Sequence, residues 1–300
     1  MVELATGTQK FLNYLRYEKR SGEHTRTSYR TDLAQFQEYL QHIYEVSDPC
    51  EATHSMIRSW LISLSEAGIG PSSINRKIAC LRSLYKFLMR EGLVSKNPTM
   101  KVRVLKTPKR LPHFVRETEM GSVMDGREIA PDHKGLRDQL VMELLYGTGM
   151  RLSELTGLRE QAINFRDRTL KVLGKRNKER VIPFSDSLAS LIRNYIRERD
   201  RVIEKKDHGL LLVTDNGDKL YPMQVNRIVR KALSEGGASV EKKSPHVLRH
   251  TYATHLLDKG AEINAVKELL GHTSLAATQV YTHNSMEKLK KVFDQAHPKA

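Results

Sequence analysis

Through the first third of the chain, apolar residues recur three and four positions apart. Tyr29, Leu33, Phe36 and Leu40 form one set, Ile57, Trp60, Leu61 and Leu64 a second, and Ile74, Ile78, Leu81, Leu84 and Leu88 a third. That period is the mark of amphipathic helices, and three in succession predict a helical bundle. The third helix is expected to open at Pro71-Ser72-Ser73 and to stop at Gly92. It buries its apolar stripe and presents Arg82, Lys86 and Arg90 at i, i+4 and i+8 on its other side, with Asn75 two turns back in line. Like charges stacked in this way cost helix stability, so an outside anion such as phosphate is expected to compensate them.

The pattern changes after Asn97-Pro98. KVRVLKTPKRLP has two prolines, no acid and no helical period, so it reads as an extended linker. The expected division is a helical domain over 1–105, a linker over 106–112 and a second domain over 113–300. In that second domain Leu136, Leu140, Val141, Leu144 and Leu145 predict a helix ending at Gly147 and Gly149. Leu170 to Leu173 and Arg180 to Pro183 predict two short strands around a tight turn, a hairpin. Leu188, Leu191, Ile192, Tyr195 and Ile196 share one helix face, Asn216-Gly217 marks another turn, and helices follow to the C-terminus. The expected fold class is mainly α, with a small β hairpin in an α+β second domain.

Composition narrows the function. Three hundred residues, 39% hydrophobic and 28% charged, suit two globular domains and exclude a mainly disordered chain. No run of 18 apolar residues and no apolar segment behind basic N-terminal residues is present, so a cytoplasmic protein is expected. Two cysteines, Cys50 and Cys80, are too few for a disulfide framework or a four-cysteine zinc site. The 50 Lys and Arg against 35 Asp and Glu leave a net charge of +15, typical of proteins that neutralise phosphate backbones. The excess is local. Residues 1–75 carry 7 basic and 9 acidic side chains, whereas residues 76–110 carry 11 and 1. Asn75, Arg76, Lys77, Arg82, Lys86 and Arg90 are therefore candidate DNA contacts.

Four places in the second domain carry candidate chemistry. Arg151, in GTGMRLSEL, follows a glycine-bounded helix end and precedes a new helix, where its fork would join backbone N–H donors suited to an oxyanion. Lys175, Arg176 and Lys178 crowd the hairpin tip GKRNKER, from which a lysine can reach a groove or deliver a proton. In SPHVLRHTYATHLL, Ser244 fits an N-cap and Pro245 the first helical position, so His246 and Arg249 share one face at i, i+3. His250, four residues after His246, raises the alternative of a metal helix. The glutamate of HExxH is missing and an arginine intervenes, so no metal is expected, and His250 and His255 read as packing residues. Last come His272 in LLGHTS and, nine residues on, Tyr281.

Two arginines, a lysine, two histidines and a tyrosine, without a carboxylate pair, suit phosphoryl transfer. Arginine forks match the non-bridging oxygens of a phosphodiester, and carboxylates would repel it. Nearby cations and a base activate a tyrosine whose ordinary pKa is about 10, and the leaving alkoxide needs a general acid.

In order, spacing and flanking sequence, these motifs resemble those of the tyrosine recombinases, and within that family the bacterial Xer recombinases. The resemblance extends to SINRKIACLRSLYKFL with its downstream NP and to the closing KVFDQAHPKA. Arg176 is a departure, since the family usually has glycine there. The resemblance implies a SAM-like core-binding N-terminal bundle and an α+β catalytic domain closing around duplex DNA as a C-shaped clamp. It implies Tyr281 as nucleophile in a 3′-phosphotyrosyl intermediate, Arg151 and Arg249 on the scissile phosphate, and Lys175 as general acid. His246 would be acid and base on the tyrosine side, and His272 would hydrogen-bond the phosphate. No cofactor is implied. The implied partners are a double-stranded recombination site, a homo- or hetero-tetramer with a paralogous recombinase, and a septal DNA translocase, with a nucleoid location and a role in resolving chromosome dimers. A C-terminal helix bearing Met286, Leu289, Val292 and Phe293 would dock onto a neighbouring protomer or onto its own domain. Alternatives are an integrase or excisionase of a mobile element, a type IB topoisomerase, and a non-enzymatic DNA-binding regulator.

Overall fold

A computed structural model describes residues 4–108, 113–126, 129–174, 179–204, 209–271, 293 and 295–296. The chain divides into two compact units, 1–110 and 111–300, so the expected linker over 106–112 straddles the division.

The first unit contains α1 (Thr6–Tyr17), α2 (Glu23–Tyr44), α3 (His54–Glu66) and α4 (Pro71–Arg90). The apolar stripes expected from the sequence meet in one core, where Phe36, Trp60, Leu81 and Leu84 are buried together. Helix α1 adds Phe11 and Leu15 to it. Pro71 occupies the first turn of α4, where its missing N–H costs nothing. Cys50 and Cys80 are free, and burial pushes the Cys50 thiol up to about 11, which keeps it protonated and unreactive.

The cationic face of α4 is only partly open to an outside anion. Lys77 corrects the expectation drawn from charge alone. Its ammonium is buried 2.8 Å from Asp32, with side-chain exposures of 6% and 2%, and it also lies 5.6 Å from the Trp60 ring centroid. A buried cation needs such a partner, and this one leaves nothing for a phosphate. Arg76 pairs with the same carboxylate from the surface. The Asn75 amide donates to the Leu105 carbonyl and accepts from the Leu105 N–H, both at 2.8 Å, while Arg82 donates to the Val102 carbonyl at 2.6 Å. These two residues fasten the extended segment 102–105 along α4. Arg90 stacks over Tyr14 at 4.4 Å and bonds Glu91 at 3.0 Å. Lys86 is exposed.

The second unit contains α5 (Glu117–Asp125), α6 (His133–Thr148), α7 (Leu152–Thr156), β1 (Ile163–Asn164), β2 (Thr169–Leu173), β3 (Glu179–Pro183) and α8 (Asp186–Val202). After them come α9 (Pro222–Glu235), α10 (Pro245–Asp258) and α11 (Ile263–Leu270). The expected hairpin is present with Lys171 opposite Val181, and the two-residue β1 adds an antiparallel edge that the sequence pattern did not show. Helix α6 lies at the centre and buries Leu140, Val141, Leu144 and Leu145. Gly147 lies within its last turns, and Gly149 alone caps it, in the left-handed region at φ +60°. Around 210–221 the chain makes isolated bridges, Arg159 with Leu210 and Val213 with Lys219, rather than continuous strands.

Helix α10 is tied to the start of its own unit. Thr251 Oγ1 accepts from the Val115 N–H at 3.0 Å, and His255 Nε2 lies 2.9 Å from the Val115 carbonyl. The other ring nitrogen of His255 is 3.0 Å from the Tyr146 hydroxyl. Burial holds the His255 pKa below its ordinary value, consistent with a neutral packing residue. Ser244 stands at the N-cap of α10, but its buried hydroxyl makes no cap hydrogen bond, so Pro245 rather than a serine cap marks the helix start.

Candidate active site

Arg151 stands at the turn from α6 into α7, two residues after the Gly149 cap. Its backbone N–H donates to Glu154 Oε2 at 2.7 Å, half of a capping box. That donor is therefore not available to an oxyanion. The guanidinium is one-third exposed and bonds Glu154 Oε1 at 2.9 Å through Nη1.

Arg249 lies on the second turn of α10 and is buried. Its Nη1 donates to the Gly149 carbonyl and its Nη2 to the Leu270 carbonyl, the latter at 2.5 Å. Burial, reinforced by Arg151 and Arg180, brings its pKa down to about 10, still cationic at neutral pH. His246, three residues earlier, is exposed at the first turn of the same helix. Burial, then the neighbouring His246, lowers the His250 pKa.

Two residues that sequence reasoning missed complete the cluster. Arg180 on β3 donates to both Glu154 oxygens, at 2.6 and 2.8 Å, and through Nε to the Leu269 carbonyl at 2.9 Å. Burial would raise the Glu154 carboxyl, but its bonds from Arg180 and Arg151 outweigh that and hold it at about 2. A signal existed. Strand alternation puts Arg180 on the same side as the core residue Ile182, and an inward charge requires a partner.

The end of α11 gathers these side chains. Leu269, Leu270 and Gly271 offer three consecutive carbonyls, and each accepts from a different arginine, Arg180, Arg249 and Arg151 in turn. A helix C-terminus leaves its last carbonyls unpaired and carries partial negative charge. Such an end therefore steadies guanidiniums that would otherwise repel one another. Gly149 and Gly271 both adopt φ near +60°. A Cβ on Gly149 would fall 2.4 Å from the Tyr252 ring, so no larger residue fits there.

The expected site is thus partly assembled in the structure: Arg151 and Arg249 converge on one turn, with the exposed His246 immediately before the buried stretch Val247 to Arg249 of α10. Lys175, Arg176 and Lys178 at the hairpin tip, and His272 and Tyr281 after α11, lie outside the described residues. So do most of the C-terminal helix positions; Phe293 is buried, and Ala296 packs in a cluster with Tyr252, Leu256 and Leu269.

Residues 113–288 match the phage integrase family, and residues 8–92 match its N-terminal SAM-like domain. The chain belongs to the phage integrase family. Relatives place it among the Xer tyrosine recombinases. It is 39% identical over 292 residues to the tyrosine recombinase XerC of Staphylococcus carnosus (strain TM300), covering 97% of both chains. It is 37% identical over 303 residues to that of Oceanobacillus iheyensis, covering 100% of this chain and 98% of the relative. The fold agrees. The XerH site-specific recombinase bound to a palindromic difH substrate in a post-cleavage complex superposes with a TM-score of 0.71 at 22% identity, over 96% of this chain and 84% of that one. A lambda integrase tetramer bound to a Holliday junction gives a TM-score of 0.67 at 19% identity, over 91% and 75%. This Xer recombinase is accordingly a site-specific enzyme of DNA strand breakage and rejoining.

Proposed function

We propose that Tyr281 is the nucleophile and that Arg151 and Arg249 clamp the scissile phosphate. The observation that carries this reading is the convergence of both guanidiniums on the Gly149 and Gly271 caps, held by backbone carbonyls. Groups fixed before substrate arrives stabilise developing charge without reorganising. The phenolate oxygen of Tyr281 attacks phosphorus, the bond from phosphorus to O5′ breaks, and Lys175 gives O5′ its proton. His246 takes the phenol proton, and His272 hydrogen-bonds the phosphate. One phosphodiester is exchanged for one phosphotyrosyl ester, so attack by a second strand's 5′-hydroxyl reverses the step without ATP, and the side-chain cations do the work of a metal.

The partner is a double-stranded recombination site, contacted along its backbone by the exposed cations of α4, chiefly Lys86, Arg82 and Arg90, and by Arg176 and Lys178 of the hairpin tip. Four protomers, identical or shared with a paralogue, join two sites through a Holliday junction. Similarity to XerC proteins and to recombinases solved on DNA supports this assembly. The biological role that fits is resolution of chromosome dimers at cell division, in the nucleoid, with a septal DNA translocase as activator.

A dimeric plasmid carrying two copies of a candidate site from the replication terminus tests it, in EDTA without ATP. The reading requires unit-length circles from this chain, alone or with its paralogue, and none from Tyr281→Phe. Relaxation of supercoils with no partner exchange would favour the topoisomerase alternative.

A further inference from the structure

Glu154 is a hazard inside a phosphate clamp. It is ionised, almost wholly buried, and three residues from Arg151 on the same turn. Carboxylate and guanidinium prefer a two-bond fork, and a fork between Glu154 and Arg151 would turn the arginine's charge inward, away from a substrate phosphate. That fork is absent: Arg151 reaches Oε1 through Nη1 and turns Nη2 to the Gly271 carbonyl. Both carboxylate oxygens are instead covered by Arg180. Arg180 also holds the Leu269 carbonyl, the first of three whose next two hold Arg249 and Arg151. The turn leans on it directly, since a Cβ on Gly271 would lie 3.0 Å from the Arg180 Cδ.

We propose that Arg180 is a positioning residue of the recombination site: by saturating Glu154 and fixing the end of α11, it keeps Arg151 turned toward the scissile phosphate. It is 4% exposed, so it acts through the residues it holds. The inference rests on the assignment of Arg151 and Arg249 to that phosphate.

The experiment measures single-turnover formation of the covalent adduct at saturating DNA, below the melting temperature of each variant, alongside DNA affinity. Arg180→Lys keeps the charge and fits the same space but covers only one Glu154 oxygen. It is expected to melt and bind DNA like the parent yet form adduct at least about tenfold more slowly. Arg180→Met is expected to be slower still, and adding Glu154→Gln to it removes the trap and recovers about tenfold of that loss. A purely structural role predicts that folded Arg180→Lys cleaves at the parent rate, and that result, or no recovery in the double variant, overturns the inference. Arg151→Ala serves as the separate control. If it still forms adduct at the parent rate, the clamp assignment itself fails; if it is inactive while the Arg180 variants are unaffected, only the role of Arg180 is lost.

Discussion

Arg180 and Glu154 form a two-bond ion pair at 2.6 and 2.8 Å, with side chains only 4% and 2% exposed. They join the base of the hairpin to the helix that carries Arg151. Breaking one side of a buried pair strands the other charge, which typically costs about 3–5 kcal/mol. Glu154→Gln should therefore destabilise the second unit by about 3 kcal/mol at pH 7. The effect has a defined pH dependence. A carboxyl held at about 2 in the folded state, against an ordinary 4.5, contributes stability above pH 4.5 that is lost as the pH falls through 4.5 toward 2. The stability gap between parent and Glu154→Gln should narrow over that range, as read by denaturant titrations at pH 7, 4 and 3. A gap that stays constant would show that the pair does not govern the acid limb.

Gly149 carries two constraints at once, φ +60° and the close Tyr252 ring. Gly149→Ala should cost more than the 1–2 kcal/mol of left-handed strain alone and should displace the carbonyl that Arg249 uses. Gly68, at φ +77° with nothing within 4 Å, supplies the comparison. Gly68→Ala should lose only that strain and keep its activity. Thermal melts of the two variants, with adduct formation measured on each, separate the terms.

Lys77 and Lys86 are both basic residues of α4, and the structure gives them opposite jobs. Lys77→Met should destabilise the first unit by about 2–4 kcal/mol, because Asp32 loses its buried partner, and leave the salt dependence of DNA binding unchanged. Lys86→Ala should leave the melting temperature within about 1 °C and reduce the slope of log affinity against log salt by about one, the signature of a lost phosphate contact. Binding isotherms at several salt concentrations decide between the two assignments.

Periodicity showed what depends on local order: α2, α3 and α4 of the first unit and α6 with α8 each followed from four or five apolar residues at helical spacing, and the hairpin from two short apolar runs around a turn, whereas α1 was not expected. It did not show β1, two residues long and defined only by its neighbour, whereas the short α7 was expected directly after Arg151. Charge counting placed the basic excess correctly in 76–110 but could not tell Lys77 from Lys86, because burial depends on Asp32, 45 residues away in sequence. The candidate site was legible as motifs, since Arg151, His246 and Arg249 carry their neighbours with them. The partners that hold them were not. Glu154 and Arg180 meet across 26 residues, and the carbonyls of Leu269 to Gly271 have no side-chain identity to read.

The most direct test is covalent trapping. The purified protein is incubated in EDTA with a nicked duplex bearing its recombination site, so that the cleaved strand end diffuses away, and the products are run on a denaturing gel. A DNA-linked protein band is expected to form without metal or ATP and to vanish in Tyr281→Phe. An adduct that persists in Tyr281→Phe, or one that requires a divalent metal, would contradict the mechanism.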